Sequence, residues 1–397
     1  MSWITGRKDI FSKIATALGN LEIKRKTVWM HCASLGEFEQ GRPLVELIRL
    51  HYPGYIIIIT FFSPSGYEIR KNYKEADHVF YLPLDGKENA RQFINLIRPD
   101  LVLWIKYDFW HYYLAELKNR HIPTFLISGA FREDQQFFRP FGAFWKNMLK
   151  CFNFIFLQNN TSAQLLSNIG FKENVMVAGD TRFDRVIDNA RNFEPINFIE
   201  GYINHQQVIV AGSTWEEDEA VFVHYIKSHP DRKFIIAPHE IDKDNIASIK
   251  KIFRNAIQYS ELQSLNQNSG NELLRASNVL IIDCIGLLSR LYYYADVAYV
   301  GGGFGENGLH NILEAAVFAK PVIFGPELDK NFEATEMIDA GGAVSIRNAI
   351  DLEIVMNELL NNDIELKIKG AAAKQYVYSR SGASLKVIDH LKETNMI

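Results

Sequence analysis

Short, apolar, β-prone runs alternate with helical patterns along almost the whole chain, and this alternation restricts the fold more than any single motif. In the first half the runs are residues 27–30, 55–61, 78–81, 101–105, 124–128 and 154–158, with amphipathic segments between them. Strands separated by helices predict a parallel sheet built through right-handed crossovers, since a parallel neighbour cannot be reached by a tight turn. A second series begins at Gln207-Val208-Ile209-Val210-Ala211 and continues through 233–237, 279–283, 297–301 and 321–325. The sequence therefore predicts an α/β protein of two doubly wound domains, over residues 1–190 and 205–375. The stretch 188–205, with Asn189, Asn192, Pro195 and Asn204, has weak periodicity and reads as the linker. The helical C-terminal segment, 376–397, is long enough to return to the first domain.

Composition narrows the class. A hydrophobic fraction of 47% and a charged fraction of 23% belong to a folded chain. A formal net charge of −4 argues against general nucleic-acid binding, which needs many phosphates neutralised by Lys and Arg. Cys32, Cys151 and Cys284 lie far apart, without metal spacing or a disulfide framework. No stretch reaches the roughly 18 apolar residues of a membrane span. The first segment sets Trp3, Ile4, Phe11 and Ile14 against Arg7, Lys8 and Lys13, followed by Lys24-Arg25-Lys26. That pattern suits either a solvated helix face or contact with an anionic membrane surface.

Candidate chemistry lies where strands hand over to helices, because ligands of parallel α/β sheets bind at the carboxyl edge. Glu37, in Ala33-Ser34-Leu35-Gly36-Glu37, follows the first run and precedes a helical pattern at 43–48. A carboxylate there can act as a general base, or merely favour a helix start. Thr60, Ser63, Ser65 and Gly66 follow the second run, and Lys106-Tyr107-Asp108 the fourth. Arg132, Arg139 and Lys146 follow the fifth, where they could meet a phosphorylated partner. In the second half, Gly301, Gly302, Gly303, Gly305 and Gly308 form a glycine loop suited to phosphate, with neither the dinucleotide nor the Walker spacing. His310, Asn311 and Glu314 are spaced to share one helix face beyond it. Ser213 and Thr214 are candidate helix caps beside Glu217, and Pro238-His239 ends the next run. Asp242-Lys243-Asp244 has the spelling of a metal-binding DxD but sits in a charged surface stretch, and no other cluster has metal spacing.

Taken in order, HCASLGEFEQGRPLV, TFFSPSGYE, LVLWIKYDFWHYYLAELKNRHIP, GDTRFD, AGSTWEEDE and YVGGGFGENGLHNILEAAVFAKPVIFGPE resemble the Kdo transferases of lipopolysaccharide biosynthesis. The resemblance implies a glycosyltransferase-B fold, two Rossmann-like domains facing a central cleft. It implies an enzyme that moves 3-deoxy-D-manno-octulosonic acid (Kdo) from CMP-Kdo to a lipid A precursor, inverting and without a metal or other cofactor. It also implies work as a peripheral protein at the cytoplasmic face of a Gram-negative inner membrane; the family's usual hydrophobic anchor segment is not seen in this sequence.

By the same resemblance Glu37 matches the catalytic base of a Ser-x-Gly-Glu motif, and Asp108 stands in for a second acid. Ser213, Thr214, Glu217, Pro238, His239, Gly302, Gly303, His310, Asn311 and Glu314 match the CMP-sugar site. Ser34, Gly36, Ser63, Ser65 and Arg132 are the acceptor-side candidates. Three positions depart from the family: Lys106 replaces an acid, Arg182 replaces a lysine, and an arginine commonly found near His239 is missing. Two further readings stay open at this level: a related two-domain UDP-sugar transferase or epimerase, and a non-catalytic protein that binds a sugar nucleotide or lipid.

Overall fold

A computed structural model describes residues 5–19, 25–106, 108–264, 277–328 and 331–397; Trp3, Ile4, Lys24 and Tyr107 lie outside them. The chain divides into two compact units, Met1–Arg185 with Arg380–Ile397, and Val186–Ser379.

The first unit holds strands β1 (Thr27–Cys32), β2 (Ile56–Phe61), β3 (His78–Tyr81), β4 (Leu101–Ile105), β5 (Thr124–Gly129), β6 (Phe154–Leu157) and β7 (Val175–Val177). They form one sheet in the order β3-β2-β1-β4-β5-β6-β7, parallel throughout. Every residue of β1, β2, β4 and β5 is buried, which explains why these strands read as continuous apolar runs rather than alternating ones. Successive side chains feed opposite faces. Trp29, Ile58 and Trp104 enter one core with Phe93 and Tyr113, while Met30, Ile57, Ile59 and Leu103 enter the other. The C-terminal helix Ala383–Glu393 closes that second face with Val387, Ile388 and Leu391. Asp184 anchors its start, accepting from the backbone N–H groups of Gly382 and Ser384 (2.7 Å to the latter). At the other end, the helix Ile10–Leu18 turns Ile10, Ile14 and Leu18 into the first core, so its apolar side is spent on packing.

The second unit repeats the plan with β8 (Val208–Thr214), β9 (Lys233–Pro238), β10 (Ile257–Gln258), β11 (Val279–Ile281), β12 (Val297–Val300), β13 (Val322–Phe324) and β14 (Ala343–Ser345). Their order is β10-β11-β9-β8-β12-β13-β14, again all parallel. The stretch 188–205 carries the end of helix Thr181–Arg191 and the short helix Ile199–Ile203, with Ile196, Ile199 and Tyr202 buried. In each sheet the strand order reverses beside the first strand, between β1 and β4 and between β8 and β12. Ligands of doubly wound sheets bind at the carboxyl ends of the strands flanking such a switch point.

Three strands have no counterpart in the sequence reading, namely β7, β10 and β14. All are two or three residues long and lie at sheet edges, where one neighbour and partial exposure leave no apolar run to detect. The helix expected from 43–48 runs instead over Leu35–His51, with Pro43 inside it. No helix among the described residues is long and apolar enough to cross a membrane.

Candidate functional site

In the first unit, β1 ends at Cys32 and Ser34 caps the helix Leu35–His51. The Ser34 hydroxyl accepts from the Glu37 N–H at 3.5 Å, and Glu37 Oε2 accepts from the Ala33 N–H. Ser34-x-x-Glu37 is thus also a capping pattern, and it fixes the carboxylate over the strand end. Glu37 Oε1 has no hydrogen-bond partner among the described residues and remains available to a ligand. Burial, then the charge of Asp108, pushes the Glu37 carboxyl up to about 7, against the Ala33 N–H and the charge of Lys106. A carboxyl poised near neutrality has the affinity for protons that a general base needs. Asp108 follows β4, the strand beside β1, and burial raises its own pKa. Lys106, left-handed at φ 58°, acts electrostatically on both Glu37 and the buried Asp180.

A consequence is measurable. If ionised Glu37 is the active form, activity rises with pH through about 7 in the wild type. Asp108→Asn removes a like charge, so the acid limb of the kcat/KM profile moves to lower pH; an unmoved limb would show that the titrating group is not Glu37.

Beneath this edge lies a buried polar chain that leaves no signal in the amino-acid pattern. Trp110 Nε1 donates to His31 Nε2 at 3.0 Å, and His31 Nδ1 lies 2.9 Å from Thr60 Oγ1, which also accepts from Trp29 Nε1 at 2.8 Å. Burial holds the His31 pKa at about 3, so the ring is neutral with its proton on Nδ1. Thr60 is fully buried and committed to this chain, which removes it from the ligand candidates. Ser63 and Ser65 lie on the loop after β2, with hydroxyls 2.9 Å apart, and Ser63 caps the helix Pro64–Arg70. Phe62 and Ser63 donate their N–H groups to the Ala33 carbonyl at 3.2 and 2.7 Å, joining that loop to the one bearing Glu37. Gly36 is exposed beside Glu37. Arg132 is exposed on the loop after β5 and pairs with Asp134 at 3.4 Å; no contact ties it to Glu37. Arg182 is drawn back onto Asp180 at 2.7 Å.

In the second unit, the β8 ladder is interrupted between Gly212 and Thr214, where Ser213 adopts φ 53°. Such a bulge re-aims the strand end. Ser213 and Thr214 are not helix caps: both belong to β8, and Trp215 is the N-cap of the helix Glu216–Ser228. Thr214 is buried and donates its hydroxyl to Glu219 at 2.9 Å. Trp215 stacks on His239 with ring centres 4.6 Å apart, His239 stacks on His310 at 4.5 Å, and Trp215 Nε1 donates to His310 Nε2 at 3.2 Å. Three strand ends, of β8, β9 and β12, are joined through these rings. Burial and then His239 lower the His310 pKa to about 4, so this ring is neutral. Pro238 ends β9, and the His239 N–H donates to the Thr214 carbonyl at 2.9 Å.

The glycine loop has steric reasons for its glycines. Gly302 has φ +89°, and a Cβ on Gly303 would lie 2.7 Å from the Gly325 nitrogen. Glu217 is exposed, its carboxyl within 4 Å of where a Cβ on Gly305 would lie. The helix beyond the loop is short, Leu313–Ala316, so His310 and Asn311 precede it rather than share its face. Asn311 instead makes a turn, accepting from the Leu313 N–H at 3.2 Å and donating to Glu314 at 3.1 Å. Four helical residues supply little dipole, so an anion at this loop would have to be held by loop amides and side chains. Asp242 caps the helix Lys243–Ile252, accepting from Asp244 and Asn245, in keeping with its reading as surface. The described residues contain no group of three His, Cys, Asp or Glu that could hold a metal.

Glu219 is 3% exposed, and burial lifts its carboxyl to about 7. A carboxyl whose folded pKa lies above its unfolded one loses stability as pH rises between the two values, here from 4.5 to about 7. Glu219→Gln keeps an acceptor for Thr214 and abolishes that loss, on the order of 3 kcal/mol at most. The variant is expected to melt several degrees above wild type at pH 8.5, with the gap narrowing toward pH 5; a constant gap across pH would refute the titration.

Residues 10–185 match the family model described as 3-deoxy-D-manno-octulosonic-acid transferase (kdotransferase). The 3-deoxy-D-manno-octulosonic acid transferase of Rickettsia felis is 28% identical over 92% of this chain and 78% of its own length. That of Haemophilus influenzae is 26% identical over 92% of this chain and 86% of its own length. Among solved structures, the UDP-GlcNAc 2-epimerase of Neisseria meningitidis superposes with TM-score 0.65 at 16% identity, over 93% of this chain and all of that one. A glycosyltransferase of Rickettsia africae superposes with TM-score 0.60 at 16% identity, over 93% and 98%.

Two all-parallel, doubly wound sheets with loops gathered at their switch points define the glycosyltransferase-B fold, and the protein is an enzyme of the glycosyltransferase class. Within that class the chain is similar to the Kdo transferases, whose family model matches most of its first unit and whose relatives align with 92% of its length.

Proposed function

We propose that the protein transfers Kdo from CMP-Kdo to a hydroxyl of a lipid A precursor, with inversion and without a metal ion or other cofactor. The observation that carries this reading is Glu37, a carboxylate at the switch point with one free oxygen and a pKa near 7. Glu37 takes the proton of the acceptor hydroxyl as its oxygen attacks the anomeric carbon of the donor. The new C–O bond forms as the bond to the CMP phosphate breaks, and the electron pair leaves with CMP. Charge grows on that phosphate in the transition state, and the N–H groups of the glycine loop, with Ser213 and Asn311 nearby, are suited to stabilise it. Ser34, Gly36, Ser63, Ser65 and Arg132 are assigned to the acceptor side, and Glu217, His239, His310 and Glu314 to the donor.

The acceptor is a lipid, so the enzyme works at a membrane surface, here the cytoplasmic face of the inner membrane. Phe141 is 96% exposed beside the exposed Arg139, with Phe144 half-exposed close by. Aromatic and basic groups together are what peripheral contact with anionic lipid requires. Titration calorimetry with CMP and UDP tests the donor assignment. CMP is expected to bind at least about tenfold more tightly than UDP, a difference of about 1.4 kcal/mol; equal binding or a preference for UDP would overturn it.

A further inference from the structure

We propose that Asp218 is a positioning residue of the donor site, its buried carboxylate bracing the glycine loop after β12 against the loop after β8. The inference rests on the reading that these loops hold the sugar nucleotide. Asp218 is 1% exposed and sits in the first turn of the helix Glu216–Ser228. Its Oδ2 accepts from the backbone N–H of Trp215 and from that of Gly302, both at 2.9 Å, and its Oδ1 accepts from the Tyr299 hydroxyl at 2.6 Å. Only the first of these is a helix cap. The other two leave the helix for the neighbouring strand and its loop.

Their position explains the need. The β8–β12 pairing ends with Val300 opposite Gly212 and a bond from the Gly301 N–H to the Gly212 carbonyl at 2.9 Å. Immediately beyond, the Asp218 carboxylate takes the place of a ladder rung. It fixes Gly302 at φ +89°, and that residue sets the course of the loop toward Gly303 and His310. The Gly302 N–H is therefore turned to Asp218 and not toward a ligand, so Gly302 shapes the loop while other donors meet the phosphate. Tyr299 completes the brace from β12, its ring packed edge-on against Phe222 at 4.9 Å.

Asp218→Ala, Asp218→Asn and Tyr299→Phe, made in the full chain, test the brace by KM for CMP-Kdo, CMP affinity and melting temperature. Asp218→Ala is expected to raise the donor KM and CMP Kd by about tenfold or more while kcat changes less than about threefold, because misplacing a binding loop costs affinity for what it holds. Asp218→Asn keeps one oxygen for the two backbone donors, and Tyr299 can turn its hydroxyl to accept. It should recover most of the loss, to within about threefold of wild type. Should Asp218→Ala not fold, Tyr299→Phe carries the test with an expected rise of about twofold to fivefold in CMP Kd. Folded variants with lowered melting temperature but wild-type KM and CMP affinity would overturn the proposal. Should the wild type itself bind no CMP, the donor reading fails, and hydrogen exchange decides the brace: Asp218→Ala must lose protection at the Gly302 amide, and unchanged protection there overturns it.

Discussion

Glu37→Gln is expected to abolish transfer, lowering kcat by about a thousandfold, within the range that general-base catalysis contributes. A thousandfold corresponds to about 4 kcal/mol of transition-state stabilisation. The amide is nearly the same shape as the carboxylate and retains an oxygen for the Ala33 N–H, so the helix start should survive. CMP binding should be unchanged, because Glu37 lies in the first unit and the loops assigned to the nucleotide lie in the second. At pH 8 the variant should melt no lower than wild type, since an ionised carboxyl raised to about 7 by burial costs stability at that pH. Residual activity above about a tenth of wild type would remove Glu37 from the base role.

The second large effect is expected at Gly303. A Cβ there would lie 2.7 Å from the nitrogen and 2.8 Å from the Cα of Gly325, and backbone atoms on both sides cannot swing away as a side chain would. The Glu327 N–H to Gly303 carbonyl bond, 2.9 Å, ties the same two segments. Gly303→Ala must therefore separate the end of β13 from the glycine loop. Overpacking of this kind costs roughly 1–3 kcal/mol, several degrees in melting temperature. CMP affinity should fall at least about tenfold, because the displaced loop is the one assigned to the phosphate. Gly305 is the contrast: a Cβ there approaches only the Glu217 carboxyl, at 3.9 Å, so Gly305→Ala should melt like the wild type. Equal melting temperatures for both variants would show that the Gly303–Gly325 approach is not a steric constraint.

How much of this was legible without coordinates depends on what each element buries. The interior strands announced themselves because both their faces are covered, as in Ile56-Ile57-Ile58-Ile59, and their order along the chain was enough for two parallel sheets. The edge strands carry no such run, as β10 with only Ile257 and Gln258 shows. The first helix was legible from the apolar spacing of 43–48 and from Glu37 as a helix-start acid, but its start at Leu35, eight residues before Pro43, is set by the Ser34 cap. His31 was hidden within a fully buried strand, where nothing distinguishes a bonded histidine from an apolar neighbour. Asp218 was one of four consecutive acids, and only the fold selects which of them turns inward to Gly302 and Tyr299. The fold's interior was thus written in local composition, whereas the bracing of the site depends on contacts between residues some 80 positions apart.

The most direct test incubates the wild-type enzyme with CMP-Kdo and a bisphosphorylated, acylated glucosamine disaccharide, with and without EDTA, and weighs the lipid by mass spectrometry. Transfer requires the lipid mass to rise by one or more Kdo residues, with one CMP released per residue and no difference on adding EDTA. An unchanged lipid mass from an enzyme that binds CMP would contradict the proposed transfer.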